Sequence, residues 1–156
     1  METPTLIPYF ENIKIKKIGC GARHSVVLDF DNNLYTFGDN SDGQSIGHNT
    51  NNWIPQLFNE GKSMKIVDFS VGNYHNFLKT RTGDIFCWGN SKDGKFGDKY
   101  NVPFNIPRNI LKLKGTNVSY IALGETISIF FTTSIDNKIL IERKEIKTNI
   151  CINKNQ

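Results

Sequence analysis

Cysteine is scarce in this sequence and badly placed for any shared task. Cys20, Cys87 and Cys151 are scattered, odd in number and never spaced as C-x-x-C. That speaks against a disulfide framework or a zinc site, and for a reducing compartment, cytoplasmic or nuclear. Long apolar runs are missing too. The longest, residues 120–131, is broken by Gly124 and Glu125 and is too short to span a bilayer, so no membrane partner is expected. Residues 1–8 lack a basic region followed by an apolar core, so no secretory signal is expected there. Sustained helical periodicity is absent. Even Ile139 to Ile152 is dominated by β-branched residues and reads as strand or as unstructured chain. Charge of one sign does not dominate either: Lys and Arg exceed Asp and Glu only by a net +4. The basic residues after Asp136 are diluted by Glu142 and Glu145, so nucleic acid or a nucleosome is not the expected partner.

What the chain has is an internal repeat. Phe37-Gly38-Asp39-Asn40-Ser41-Asp42-Gly43 returns as Trp88-Gly89-Asn90-Ser91-Lys92-Asp93-Gly94, 51 residues later. Each copy is an aromatic residue, a glycine and a polar turn closed by Asp-Gly. Upstream, Ile15 to Gly21, Ile66 to Gly72 and Val118 to Gly124 share apolar residues at positions 1, 4 and 6. Positions 4 and 6 alternate as a strand does. The offset of position 1 predicts a bulge. Next comes a continuously apolar strand (Ser25 to Leu28, Asn76 to Lys79, Ser128 to Phe131), which predicts burial on both faces. Tight turns at Asp31-Asn32-Asn33 and Thr82-Gly83-Asp84 then lead into the strand that ends in the aromatic-glycine pair. The polar turn that follows closes on Gly47 in the first copy and Gly97 in the second. Ile54-Pro55 and Ile106-Pro107 close the unit, and Ile7-Pro8 is read as the same element. The chain is therefore expected to begin with the terminal strand of a preceding unit, residues 1–10. Repeats at 11–62 and 63–115 follow, and then a degenerate repeat and tail at 116–156.

A period near 51 built of short strands and glycine turns points to a radial or solenoid all-β architecture. Cys20-Gly21-Ala22-Arg23-His24, Tyr35-Thr36-Phe37-Gly38, Asp42-Gly43-Gln44 and Ile54-Pro55 recur as Val71-Gly72-Asn73-Tyr74-His75, Phe86-Cys87-Trp88-Gly89, Asp93-Gly94-Lys95-Phe96-Gly97 and Ile106-Pro107. These elements, in this order and twice over, resemble the RCC1 (regulator of chromosome condensation) repeat. The resemblance covers about residues 5 to 133. It implies RCC1-like β-propeller blades, about three of them, antiparallel, with a ring that this chain alone does not close. The third repeat departs from the pattern. Ile127 stands where the histidine belongs, and aligning Asp31-Asn32-Asn33-Leu34 on Asp136-Asn137-Lys138-Ile139 puts Glu142-Arg143 at the aromatic-glycine pair.

No catalytic constellation, metal site or cofactor motif is legible. Gly19 to His24 lacks the third glycine and the helix of a dinucleotide fingerprint. His24 and His75 recur at one repeat position, which suits a packing or hydrogen-bonding role needed in every blade better than catalysis. Gly21, Gly38, Gly43, Gly72, Gly89 and Gly94 read as backbone devices, and Phe37 and Trp88 as anchors between blades. Trp53 reads either as a cover for the core or as an exposed contact residue. The polar turns supply the candidate binding residues Asp39, Asn40, Asp42, Asn90, Lys92 and Asp93, because loops on a rigid scaffold are where such proteins bind. The expected function is a non-enzymatic protein-interaction module acting through blade-end loops. The resemblance also implies an alternative, a guanine-nucleotide exchange factor for a Ran-type small GTPase or a chromatin-binding regulator. Self-association would be one way to complete the propeller.

Overall fold

The computed structural model describes residues 3–46, 52–97 and 102–133, and the backbone alone of 138–142 and 150–151. Three four-stranded antiparallel sheets follow one another along the chain. The first holds β1 (Ile15–Cys20), β2 (His24–Asp29), β3 (Leu34–Gly38) and β4 (Asn52–Leu57). The second holds β5 (Ile66–Val71), β6 (His75–Thr80), β7 (Ile85–Gly89) and β8 (Phe104–Asn109). The third holds β9 (Val118–Leu123), β10 (Ser128–Thr132), β11 (Lys138–Glu142) and β12 (Ile150–Cys151). Strand order within each sheet is sequential. The sheets are blades packed face to face. Three blades do not close a ring, since propellers need at least four.

The bulge foreseen from position 1 is present. The β1–β2 register shifts between Ile15 and Lys17, and the β5–β6 register between Ile66 and Asp68. The middle strands are buried on both faces because each blade presents one face to the blade before it and one to the blade after. Val26 and Leu28 of β2 meet Phe69, Leu78 and Trp88 in one core. Phe77, Ile85 and Cys87 of the second blade meet Val118, Ile121 and Phe130 of the third in another. In β10–β11, Ser128 pairs with Glu142 just as Asn76 pairs with Trp88 in β6–β7. Glu142 thus occupies the aromatic position of the third blade, as the alignment places it. Arg143 lies outside the described residues, as do Gly47 and the variable loops at 47–51 and 98–101.

The leading segment is a correction. Residues 3–10 hold no strand, and Pro8–Phe10 form one 3-10 turn. Its backbone bonds, Phe10 N to Ile7 O, Glu11 N to Pro8 O and Ile13 N to Phe10 O, recur at Leu113 N to Ile110 O, Lys114 N to Leu111 O and Thr116 N to Leu113 O. Residues 7–13 are therefore the connection between blades, the counterpart of 110–116. Pro8 lies 13 residues before Gly21, whereas Pro55 and Pro107 lie 17 before Gly72 and Gly124. The shared Ile-Pro dipeptide is coincidental, and the spacing gives the true register. Tyr9 and Phe10 fold onto the face of the first blade that is turned away from the second. The Phe10 ring centroid lies 5.5 Å from Tyr35 and 6.2 Å from Phe37.

Outer strands β4 and β8 each contain a proline, Pro55 and Pro107, which interrupts the row of amide donors along the exposed edge.

Candidate interaction surface at the blade ends

The first and second blades each carry a Gly-x-x-His turn between their first two strands. Gly21 N donates to His24 O and Gly72 N to His75 O, both at 2.8 Å. The imidazole folds back over the glycine, so a Cβ on Gly21 would lie 2.1 Å from His24 Cε1. Only glycine fits there. The glycine after the aromatic residue is needed for another reason. Gly38 and Gly89 have φ of +109° and +100°, and a side chain on either would strike the carbonyl of Arg23 or Tyr74 at 2.5 Å. Gly89→Ala is expected to destabilise the fold by more than 1 kcal/mol, because native φ is incompatible with alanine. Gly83→Ala, also at positive φ but in open space, is the milder control. Urea denaturation of the two variants checks the difference.

The histidines join blades. His24 Nε2 lies 2.8 Å from Asn76 Oδ1. Asn76 Nδ2 donates to the Gln44 carbonyl at 3.0 Å, which turns its oxygen toward His24. The proton is therefore on His24 Nε2 and is donated to Asn76 Oδ1. Trp88 Nε1 donates to the same Gln44 carbonyl at 2.9 Å. One buried oxygen of the first blade thus accepts from two side chains of the second. The next seam repeats the design more loosely, with His75 Nε2 3.4 Å from Ser128 Oγ. Burial, then the charges of Lys95 and His24, push His75 down to about 3, and burial lowers His24 as well. Both are neutral structural groups near pH 7. Ring Nδ1 of each has no hydrogen-bond partner.

The polar turns pack at the same end of the blades, since Asp39 N and Asn90 N donate to the carbonyls of Arg23 and Tyr74. Their candidate residues divide sharply. Asp39, Asn40 and Asn90 are buried and committed to the turns. Asp39 accepts from Ser41 N and Ser41 Oγ, Asn40 Oδ1 from Ser45 N, and Asn90 Oδ1 from Lys92 N and Lys95 Nζ. These three residues build the turns. Asp42 and Asp93 are half-buried, and Lys92 is exposed. Asn90 Nδ2 donates to Asp42 Oδ1 at 2.9 Å, tying the turn of one blade to that of the next. Burial lowers the pKa of Lys95, which sits at the place of Gln44.

Trp53 is 71% exposed at the start of β4, beside Ile54 at 63%. The exposed alternative holds for this residue. Asn76 and Ser128 were not singled out from the sequence. Their signal was a polar residue at one fixed position of an otherwise apolar strand. Among the described residues no group of three or more His, Cys, Asp and Glu could hold a metal ion. No helix among them is long and apolar enough to cross a membrane.

This is a protein of stacked four-stranded blades tied by buried histidines, an open segment of a β-propeller. Family models described as "Regulator of chromosome condensation (RCC1) repeat" match residues 31–78 and 82–131, and residues 15–44 and 66–95. The chain belongs to the RCC1 repeat family. The matched units 31–78 and 82–131 run from the third strand of one blade to the second of the next, offset from the blades themselves. Relatives include the human E3 ubiquitin-protein ligase HERC2, 25% identical over 85% of this chain and 3% of its own length. The ultraviolet-B receptor UVR8 of Arabidopsis thaliana is 26% identical over 85% of this chain and 31% of its own length. The structure of Prp20p from Saccharomyces cerevisiae superposes with a TM-score of 0.75 at 18% identity, covering 89% of this chain and 33% of that one. The chain thus spans a third or less of each. Ligase activity belongs to relatives of which it covers only a small part.

Proposed function

We propose that this chain is a non-enzymatic protein-interaction module whose contact surface is the end of the blades that carries the polar turns. The observation that supports this most is the Asn90–Asp42 tie. It fixes two turns relative to each other, so Asp42, Lys92 and Asp93 stand as one preset charged patch. Trp53 stands on the outer strand as an apolar anchor of the residue type that dominates binding energy at interfaces. A protein partner also accords with Prp20p, whose structure was described together with its binding to Gsp1p and histones. The cytoplasm or nucleus suits a chain with this cysteine usage.

The test is affinity capture by the whole chain and by a Trp53→Ala/Lys92→Glu variant. Proteins retained by the wild type and lost tenfold or more by the variant support the reading. The variant's stability should stay within about 0.5 kcal/mol of wild type, since both side chains are exposed. Equal retention by both proteins rejects the blade-end surface. Accelerated nucleotide release from a Ran-type GTPase would replace this reading with exchange activity. Steep salt-dependent retention on nucleosomal DNA would replace it with chromatin binding.

A further inference from the structure

The outer half of the second blade holds a cavity at the end away from the polar turns. The polar turn starts after Gly89, which pairs with Phe104, whereas the cavity is lined by Cys87 and its partner Arg108 and by the connection that follows β8. Its volume is about 290 Å³. Ligand pockets usually run from roughly 300 to 1,000 Å³, so this one takes a single large side chain or a fragment of that size. Buried Phe96 and Cys87 and half-buried Ile110 make its apolar side, and Leu111, 73% exposed, forms a lip.

Two cations, Arg108 and Lys112, line the same cavity. The Arg108 guanidinium lies 3.9 Å from the centroid of the Phe104 ring, which stacks in turn on Phe96. That contact holds the group in place and uses none of its N–H donors. Lys112 Nζ donates to Gly97 O and keeps further N–H groups to give. Among the described residues neither cation is in an ion pair.

These charges are not part of the blade framework. The backbone bonds Phe58 N to Leu34 O and Ile110 N to Ile85 O mark equivalent residues of the first and second blades. By that count Gln56 stands at the place of Arg108, and Glu60 at that of Lys112. A structural device recurs from blade to blade, and this pair does not.

We propose that the cavity binds a short segment of a protein partner in which one large apolar side chain stands beside a carboxylate. The side chain enters between Phe96, Cys87 and Ile110, and Arg108 and Lys112 hold the carboxylate. Unpaired cations with donors to spare set the sign of the charge that fits. A peptide fits better than a free acyl chain because the apolar surface continues outside the cavity. Ile106, 61% exposed, lies two residues from Arg108 on the same side of β8, and Leu111 stands at the mouth. This site is separate from the polar turns and does not depend on their role.

N-acetyl-leucine carries both features in their smallest form. N-acetyl-leucinamide lacks the charge, and N-acetylglycine lacks the side chain. Methyl resonances of Ile110 and Leu111 in the whole chain report binding. N-acetyl-leucine is expected to shift them saturably in the millimolar range, the affinity open to so small a ligand. The amide should bind about tenfold more weakly, the loss of a charge-assisted hydrogen bond, and N-acetylglycine should leave the methyls unmoved. Added salt should weaken the acid and spare the amide. Arg108→Gln and Lys112→Gln, each melting like wild type, should weaken the acid several-fold and leave the amide unchanged. The ligand comparison uses wild type alone, so it decides even where a variant fails to fold. No saturable shift, or equal binding of acid and amide, overturns the proposal. Octanoate binding more tightly than N-acetyl-leucine also overturns it and assigns the cavity to a free acyl chain.

Discussion

Trp88→Ala is expected to cost about 3–5 kcal/mol of folding stability, the range for emptying a large buried aromatic site. Trp88 is 0% exposed and sits in the core between the first two blades with Val26, Leu28, Leu34, Phe69 and Leu78. Its loss opens a cavity bounded by two sheets that backbone ladders hold apart, so collapse around it is limited. The Gln44 carbonyl also loses one of its two donors and keeps only Asn76. The comparison that gives this prediction its edge is Phe37→Ala. Phe37 holds the same repeat position but is only half-buried, under Phe10, on the face of the first blade turned away from the second. It should cost clearly less. Guanidinium denaturation of both variants, followed by near- and far-ultraviolet circular dichroism, separates them. Equal losses would mean that the seam between blades contributes little to holding Trp88. Total stabilities of 5–15 kcal/mol are usual for domains, so the Trp88 variant should be markedly depleted of native protein at 37 °C.

Acid should weaken the protein well above the range where carboxylates titrate. In the unfolded chain His24 and His75 protonate near pH 6.5. In the folded chain burial lowers both, and His75 falls to about 3. Below pH 6.5 the unfolded state therefore binds more protons than the native state. Stability then drops as pH falls, by about 1.4 kcal/mol per pH unit for each histidine, until its folded pKa is reached. For His75 that decline continues to about pH 3. Above pH 6.5 both states hold the rings neutral, and this contribution is flat. Urea midpoints between pH 7.5 and 5 read the effect before most Asp and Glu residues protonate. His75→Gln, which carries no titrating ring, should remove one of the two slopes at some cost in stability at pH 7. Stability unchanged from pH 6.5 to 5 in the wild type would contradict the neutral, buried state of both rings.

Much of the fold was legible because repetition averages out local noise. One apolar residue out of phase at Ile15 would mean little, but Ile15, Ile66 and Val118 share the offset, and all three sit at the bulges of β1, β5 and β9. The loss of the aromatic residue at Glu142 was readable for the same reason. What failed was the reading that trusted a dipeptide over its spacing. Ile7-Pro8 looks like Ile54-Pro55, but only the distance to the next glycine carries the register. The candidate site was legible in location and less so in membership. Asp, Asn and Ser in a row say that a turn is polar. Composition does not say whether the polar atoms face solvent or satisfy one another. At Asp39, Asn40 and the side-chain oxygen of Asn90 they bond within the turns, which leaves Asp42, Lys92 and Asp93 nearer to solvent. Trp53 could not be placed from its type, because tryptophan serves cores and interfaces equally well.

The prolines of the outer strands bear on how this molecule can grow. A sheet with a free edge invites any passing strand to extend it. Pro55 and Pro107 break the donor row on the rims of the first two blades, so a strand arriving from outside finds an incomplete ladder. Widening a blade in the radial direction is thereby discouraged, and fibril-like pairing at the rim is disfavoured in a chain whose three blades do not close a ring.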